Sequence, residues 1–533
     1  MKPGALLDAA SARVLGFDWL VKAVAPVSPY GARLFSELHP FFAGEETAAG
    51  ERAETIAALA AALDRSRLDA VRAALSGLPD VAGAIARASM GDVLTDPNFL
   101  ELFRFCETVD RIDALTADGA SRPDIANAAV RDVAGALAAG RMDGGFYLSD
   151  AFDADLATAR DRFARAQAEL DAARGRESER AARELGRDEI AGDEFIVMRA
   201  DLRGTLPEGV RVVREAPTYL LCALEYGEAS LAALRQRDAA ADAAADAEER
   251  VRSRLSSIVR KHAVGLDSAA AAIGVLDVLL GAARFAQAHR CAPATIAPEP
   301  ILGFEQARFL PLEAELAGAG RSFVPLDLEL QDAVVLTGPN MGGKSVSLQT
   351  SGFVALCVAF GLPVPAVRTR AGLFDQIAWL GIGREEHAGG LLSSFAREVL
   401  ELKAIFERAA PRLLMLVDEF ARTTTPHEGR ALLVALLARL REQKACGMLA
   451  THLEGIASAA GVRHFAVRGL RGIPEHPPTQ DVAEALSALA DSMDYTIAEV
   501  ADDGAARADA IALTAMLGVD REFVDAAYRA LSQ

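Results

Sequence analysis

At 533 residues the chain exceeds what one hydrophobic core usually serves, so roughly two to four domains are expected. A formal net charge of −19, from 75 acidic against 56 basic residues, excludes indiscriminate polyanion binding, and any grip on nucleic acid must be localised or conditional. The five cysteines are scattered without metal spacing and read as buried thiols of a reducing cytoplasm; no apolar run approaches the about 18 residues of a membrane span.

Residues 1–152 read as helices separated by turn signals such as Ser28-Pro29-Tyr30-Gly31 and Thr95-Asp96-Pro97-Asn98. Ile56, Leu59 and Leu63, then Leu68, Val71, Leu75 and Leu78, recur at helical spacing and predict a helical core. From Asp153 to Arg187 arginines alternate with acidic residues, as on a long solvated helix. Short strand-like runs follow at Glu194–Arg199, Gly209–Arg214 and Thr218–Tyr226, split by Gly204 and Pro207. A second helix, Ser230 to Arg260, runs back, so residues 153–262 form an arm. Residues 263–304 hold a further helix with Ile273, Leu276, Leu279 and Leu280 on one face, ended by Pro293 and Pro298-Glu299-Pro300.

From 305 to 533 apolar strands alternate with helical runs, the pattern of an α/β domain with a largely parallel sheet. Its first strand, Val334–Leu336, runs into Thr337-Gly338-Pro339-Asn340-Met341-Gly342-Gly343-Lys344-Ser345, and a helix opens at Val346. Strand, glycine-rich turn and helix are what a phosphate-binding loop requires. The glycines let backbone N–H groups point inward, and the helix N-terminus favours an anion. Lys344 would reach the β- and γ-phosphates of a nucleoside triphosphate and Ser345 would ligate Mg²⁺. Lysine is scarce here, confined to positions 2, 22, 261, 344, 403 and 444, so this one is not background. The buried run Leu413–Val417 ends in Asp418-Glu419, of which Asp418 would serve the metal and Glu419 would polarise the attacking water. The run Gly447–Ala450 ends in Thr451-His452, a position from which His452 would sense the γ-phosphate.

The loop wording, with Asp418-Glu419-Phe420-Ala421-Arg422-Thr423-Thr424 and Ala450-Thr451-His452, resembles the ATPase domain of the MutS superfamily, a branch of the ABC-type ATPases. The resemblance implies ATP as the nucleotide, held by Gly338 to Val346 with Mg²⁺ on Ser345 and Asp418, and Lys344, Glu419 and His452 as the catalytic set. It further implies that Ser393 is the signature serine reaching the γ-phosphate of an opposite protomer and that Phe323 stacks on adenine. Glu398 matches the family's spacing five residues beyond Ser393, and Thr424, Pro426, Glu428 and Gly429 resemble the loop that touches a partner subunit. The implied architecture is multidomain: an all-α lever (1–152 and 263–304) with an inserted clamp-like arm (153–262), then the P-loop ATPase domain (305–533) closed by C-terminal dimerisation helices. The mismatch-reading and connector domains have no counterpart, and Phe35-Ser36-Glu37 reads as a chance triplet inside a lever-like helix. Leu392, Leu326 and Ala421-Arg422-Thr423 depart from the mismatch-repair wording and are closer to the recombination-suppressing branch. The function expected is a cytoplasmic dimeric ATPase, alone or with a second subunit, that opens and closes a clamp on DNA. The alternative is a reactivating factor for a cobalamin-dependent aminomutase, with a protein in the clamp.

Overall fold

A computed structural model describes residues 1–533 except 119–121, 143–144, 203, 340–341, 382–393, 409, 472–490, 501–510, 512–513, 516–518 and 532–533. Helix and sheet are both present, and the chain forms two compact units. One comprises residues 1–77, 111–124 and 271–533, the other residues 78–110 and 125–270.

The second unit carries the arm. Its helix Ala154–Glu184 starts at Asp153, whose carboxylate accepts the Asp155 N–H, the usual way an aspartate satisfies an otherwise orphaned helix donor. The three expected strands form an antiparallel sheet in which Tyr219–Leu224 lies between Glu194–Met198 and Val210–Glu215. Period-two alternation puts Phe195, Val197, Leu220 and Cys222 on one face, packed with Ala181 and Ala182 of the helix. The return helix is longer than expected. It is one element, Glu228–His289, where two helices with a break near residue 260 were predicted. No proline interrupts it, and two of its glycines serve close packing rather than breaking it: a Cβ at Gly274 would lie 3.1 Å from the Tyr30 carbonyl oxygen, and one at Gly281 would lie 2.5 Å from that of Val24. This is the described helix long and apolar enough to cross a membrane, and 61% of its apolar window is buried within the protein.

In the first unit a six-stranded sheet runs in the order Gln376–Gly381, Leu413–Asp418, Cys446–Ala450, Ala333–Thr337, His464–Leu470, Met493–Glu499. Every neighbouring pair is parallel except the last. Parallel strands are covered on both faces, which is why these read as unbroken apolar runs. Leu414 and Leu416 face the helix Lys344–Ala359, whereas Leu413, Met415 and Val417 join Leu433, Leu437 and Leu440 of the helix Pro426–Glu442. The helix Lys344–Ala359 is buried on nearly every side because a second, four-stranded sheet, Thr295–Ala297, Arg368–Gly372, Leu302–Ala307 and Leu326–Leu330, contributes Leu302, Phe304 and Leu328 to the same core. Residues near the N-terminus finish the outer edge: the Ile377 N–H donates to the Leu6 carbonyl at 2.8 Å and the Trp379 N–H to the Ser11 hydroxyl at 3.0 Å. Ladder donors that would otherwise lie open are thereby paired.

Candidate nucleotide site

The strand Ala333–Thr337 is buried along most of its length and ends at the glycine-rich turn. Gly338 has φ +149°, and a Cβ there would lie 2.9 Å from Val467 Cβ; Gly343 has φ +91° and is the residue from which the helix Lys344–Ala359 starts. Both positions therefore need glycine, for backbone conformation and for space. The Gly342 N–H closes the turn on the Pro339 carbonyl at 3.0 Å. Asn340 and Met341 lie outside the described residues.

Lys344 is only 5% exposed, an unusual place for an ammonium unless it is paired. Its Nζ donates to the Gly338 and Pro339 carbonyls at 2.9 and 3.2 Å and lies 3.6 Å from Glu419 Oε1. Asp418, 2% exposed at the end of its strand, accepts a hydrogen bond from the Ser345 side chain. Burial pushes the Asp418 carboxyl above its ordinary range; the Ser345 hydrogen bond pulls it back, and the charge of Glu419 pushes it up again. A buried carboxylate in contact with a helix-start hydroxyl offers two hard oxygen donors, the chemistry Mg²⁺ selects when phosphates and water complete its shell. Among the described residues no group of three or more His, Cys, Asp or Glu converges on one point.

Glu419 follows in the left-handed region, φ +54°, with its N–H on the Ala450 carbonyl at 3.0 Å, and Ala421 is left-handed as well at φ +63°. That turn tips the Glu419 side chain out of the strand so that it lines a cavity of about 360 Å³ together with Gly342, Gly343, Lys344, Ser345 and Val346. Phe323 lines the same cavity, with Leu312, Leu316 and Val324. His452 is not among these residues; it borders a smaller pocket of about 30 Å³ with Glu419, Arg422 and Thr451. Ser393 lies outside the described residues. The Thr425 hydroxyl caps the helix Pro426–Glu442 by accepting the Glu428 N–H at 3.4 Å, and the Thr425 and Thr424 hydroxyls donate to the Glu428 carboxylate at 2.8 and 3.0 Å and hold it below the usual range.

Three residues of this region escaped the sequence reading of the site. Tyr495 lines the cavity, its ring carbon 3.2 Å from where a Gly343 Cβ would sit. It comes from the antiparallel last strand, more than a hundred residues beyond the loop, and a lone tyrosine carries no spacing signal. Arg321 lines the same wall, two residues before Phe323. His464 Nε2 lies 2.8 Å from Thr337 Oγ1, directly behind the turn.

The profile of MutS domain V matches residues 334–472, the stretch that contains the turn, Asp418-Glu419 and Thr451-His452. This stretch of the chain is similar to MutS domain V. The chain is 36% identical over 192 residues to the protein named "Endonuclease MutS2" of Carboxydothermus hydrogenoformans, an alignment covering 35% of this chain and 24% of that one. It is 33% identical over 227 residues to the "DNA mismatch repair protein MutS" of Granulibacter bethesdensis, covering 40% and 24%. An "Endonuclease MutS2" of Pelotomaculum thermopropionicum is 32% identical over 208 residues, covering 38% and 26%. The chain thus spans about a quarter of the length of the curated relatives it matches. Within the MutS domain, Lys344, Ser345, Asp418 and Glu419 are brought together in one place, whereas Phe323 and Tyr495, which join them at the cavity, lie on either side of the matched stretch.

Proposed function

We propose that this protein is a Mg²⁺-dependent ATPase of the MutS type. The observation that carries the reading is the convergence of Lys344, Ser345 and Glu419 on one cavity beside a glycine turn, with Asp418 hydrogen-bonded to Ser345. On ATP binding the Lys344 ammonium exchanges the Gly338 and Pro339 carbonyls for phosphate oxygens. Mg²⁺ held by the Ser345 and Asp418 oxygens would supply the charge that offsets the β- and γ-phosphates. Glu419, tipped into the cavity, orients the water, and His452 beside it senses the γ-phosphate. Phe323 and Tyr495 supply aromatic surface for the base in the same cavity. A second protomer contributes Ser393, so the working unit is a dimer. All five cysteines are free thiols, in keeping with a cytoplasmic protein. A steady-state phosphate-release assay tests the reading: magnesium-dependent turnover that Glu419→Gln removes supports it, and turnover unaffected by that change sinks it.

We propose further that residues 1–152 and 263–304 act as the lever and 153–262 as the clamp, and that ATP turnover opens and closes this clamp on DNA, as the names of the relatives suggest. Filter binding to duplex, branched and looped DNA at low salt checks the client; no ATP-dependent affinity for any of them would exclude DNA. One observation favours a protein client instead, such as a cobalamin-dependent aminomutase being reactivated. The arm's arginines are largely committed within the chain: Arg160 to Asp150 and Glu248, Arg174 to Asp193 and Glu177, Arg180 to Glu184 and Glu208. Arg183 and Arg187 donate to backbone carbonyls. Phosphate contacts need basic groups that are unopposed. A pull-down that recovers only nucleic acid removes this second reading.

A further inference from the structure

The turn after the two carboxylates is strained and has a specific restraint. Glu419 and Ala421 both sit at positive φ, +54° and +63°, a region that side chains with a Cβ adopt at a cost. Such a turn persists only where its surroundings hold it. One hold is the Glu419 N–H on the Ala450 carbonyl, within the sheet. The other is a side chain: Glu398 Oε2 accepts the Ala421 N–H at 2.8 Å, from 23 residues away in sequence. Glu398 belongs to the helix Ser394–Glu407, whose Ile405 is buried in the same apolar cluster as Phe420 and Ala421, with Phe395, Leu402 and Phe406 packed against it. The helix and the turn therefore share a core, and the Glu398 carboxylate ties them at the point of strain. A charged acceptor on a backbone N–H is among the stronger hydrogen bonds available for this purpose.

We propose that Glu398 is a positioning residue for hydrolysis: by holding the Ala421 turn it fixes the direction in which Glu419 enters the cavity, and it links that direction to the helix that begins one residue after Ser393. The inference rests on the reading of Glu419 as the water-orienting group. Glu398 touches neither nucleotide nor water; it acts through Ala421. Movement of the helix Ser394–Glu407 is thereby transmitted to the Glu419 carboxylate.

The test compares full-length wild type with Glu398→Ala, Glu398→Gln and the double variant Glu398→Ala/Ala421→Gly, measuring ATP turnover, fluorescent-nucleotide affinity and amide hydrogen exchange over residues 418–424. Glu398→Ala should lower kcat about tenfold while leaving KM within about twofold, since misdirection of a reacting group costs rate rather than binding. Exchange in 418–424 should quicken. Glutamine keeps an acceptor oxygen and should restore most of the rate, and glycine at 421, free of the left-handed penalty, should restore part of it. Unchanged kcat and exchange in Glu398→Ala would overturn the proposal, as would a glutamine variant as impaired as alanine with affinity lost in parallel. If wild type itself hydrolyses no ATP, the ATPase reading falls by itself, and the exchange measurement still decides whether Glu398 holds the turn.

Discussion

The six-stranded sheet and the arm use charge in opposite ways. At the end of the sheet, Lys344 and Asp418 are 5% and 2% exposed, and each is held by very few groups: two loop carbonyls and Glu419 for one, a serine hydroxyl for the other. In the arm, arginines and carboxylates are abundant, mostly exposed, and paired with one another, as in Arg180 with Glu184 and Glu208. Buried charge with incomplete compensation is costly to a fold and is kept where a ligand completes it. Exposed pairs contribute little and are exchangeable. The few charges of the sheet end should therefore govern activity, and the many charges of the arm should matter individually very little.

Substitutions can break or sharpen this contrast. Lys344→Ala should have the largest effect, lowering ATP affinity by about a hundredfold or more because it removes the ammonium proposed to take up the phosphates; titration with a fluorescent nucleotide checks it, and near-normal affinity would erase the distinction between the regions. Glu419→Gln should retain binding and reduce turnover by about a hundredfold or more, the usual worth of a positioned base, read in a single-turnover assay. Gly381→Ala should cost about 2–4 kcal/mol of stability, since a left-handed alanine there is strained and its Cβ would press on the Asp418 carbonyl oxygen; thermal denaturation measures it. Tyr495→Ala should weaken nucleotide binding by roughly fivefold to tenfold, as expected for one aromatic contact. Smallest of all, Arg180→Ala should leave the thermal midpoint almost unchanged, although Arg180 pairs with Glu184 and Glu208, because all three side chains are exposed to water; thermal denaturation checks it.

Legibility followed the same divide. Period-two alternation and unbroken apolar runs were enough to place the strands at 194–198, 210–215 and 219–224 and those at 333–337, 413–418 and 446–450. The strands Arg368–Gly372, Gln376–Gly381 and His464–Leu470 were not anticipated, and the four-stranded sheet was missed altogether, since its members come from residues 295–372 and pair out of chain order. The break expected near residue 260 is absent: Glu228–His289 is one helix without a proline, and nothing local interrupts it there.

From the sequence alone came the glycine turn with Lys344 and Ser345, the strand ending in Asp418-Glu419, and the family those residues resemble, because each of these is a local pattern of a few consecutive residues. Only the tertiary structure decided that Tyr495 and Phe323 border the same cavity as Lys344, that residues 1–77 pack with the sheet, and that Glu398 holds the turn behind Glu419. Those are contacts between residues far apart in the chain, and long-range packing leaves no periodic trace in the segments that make it.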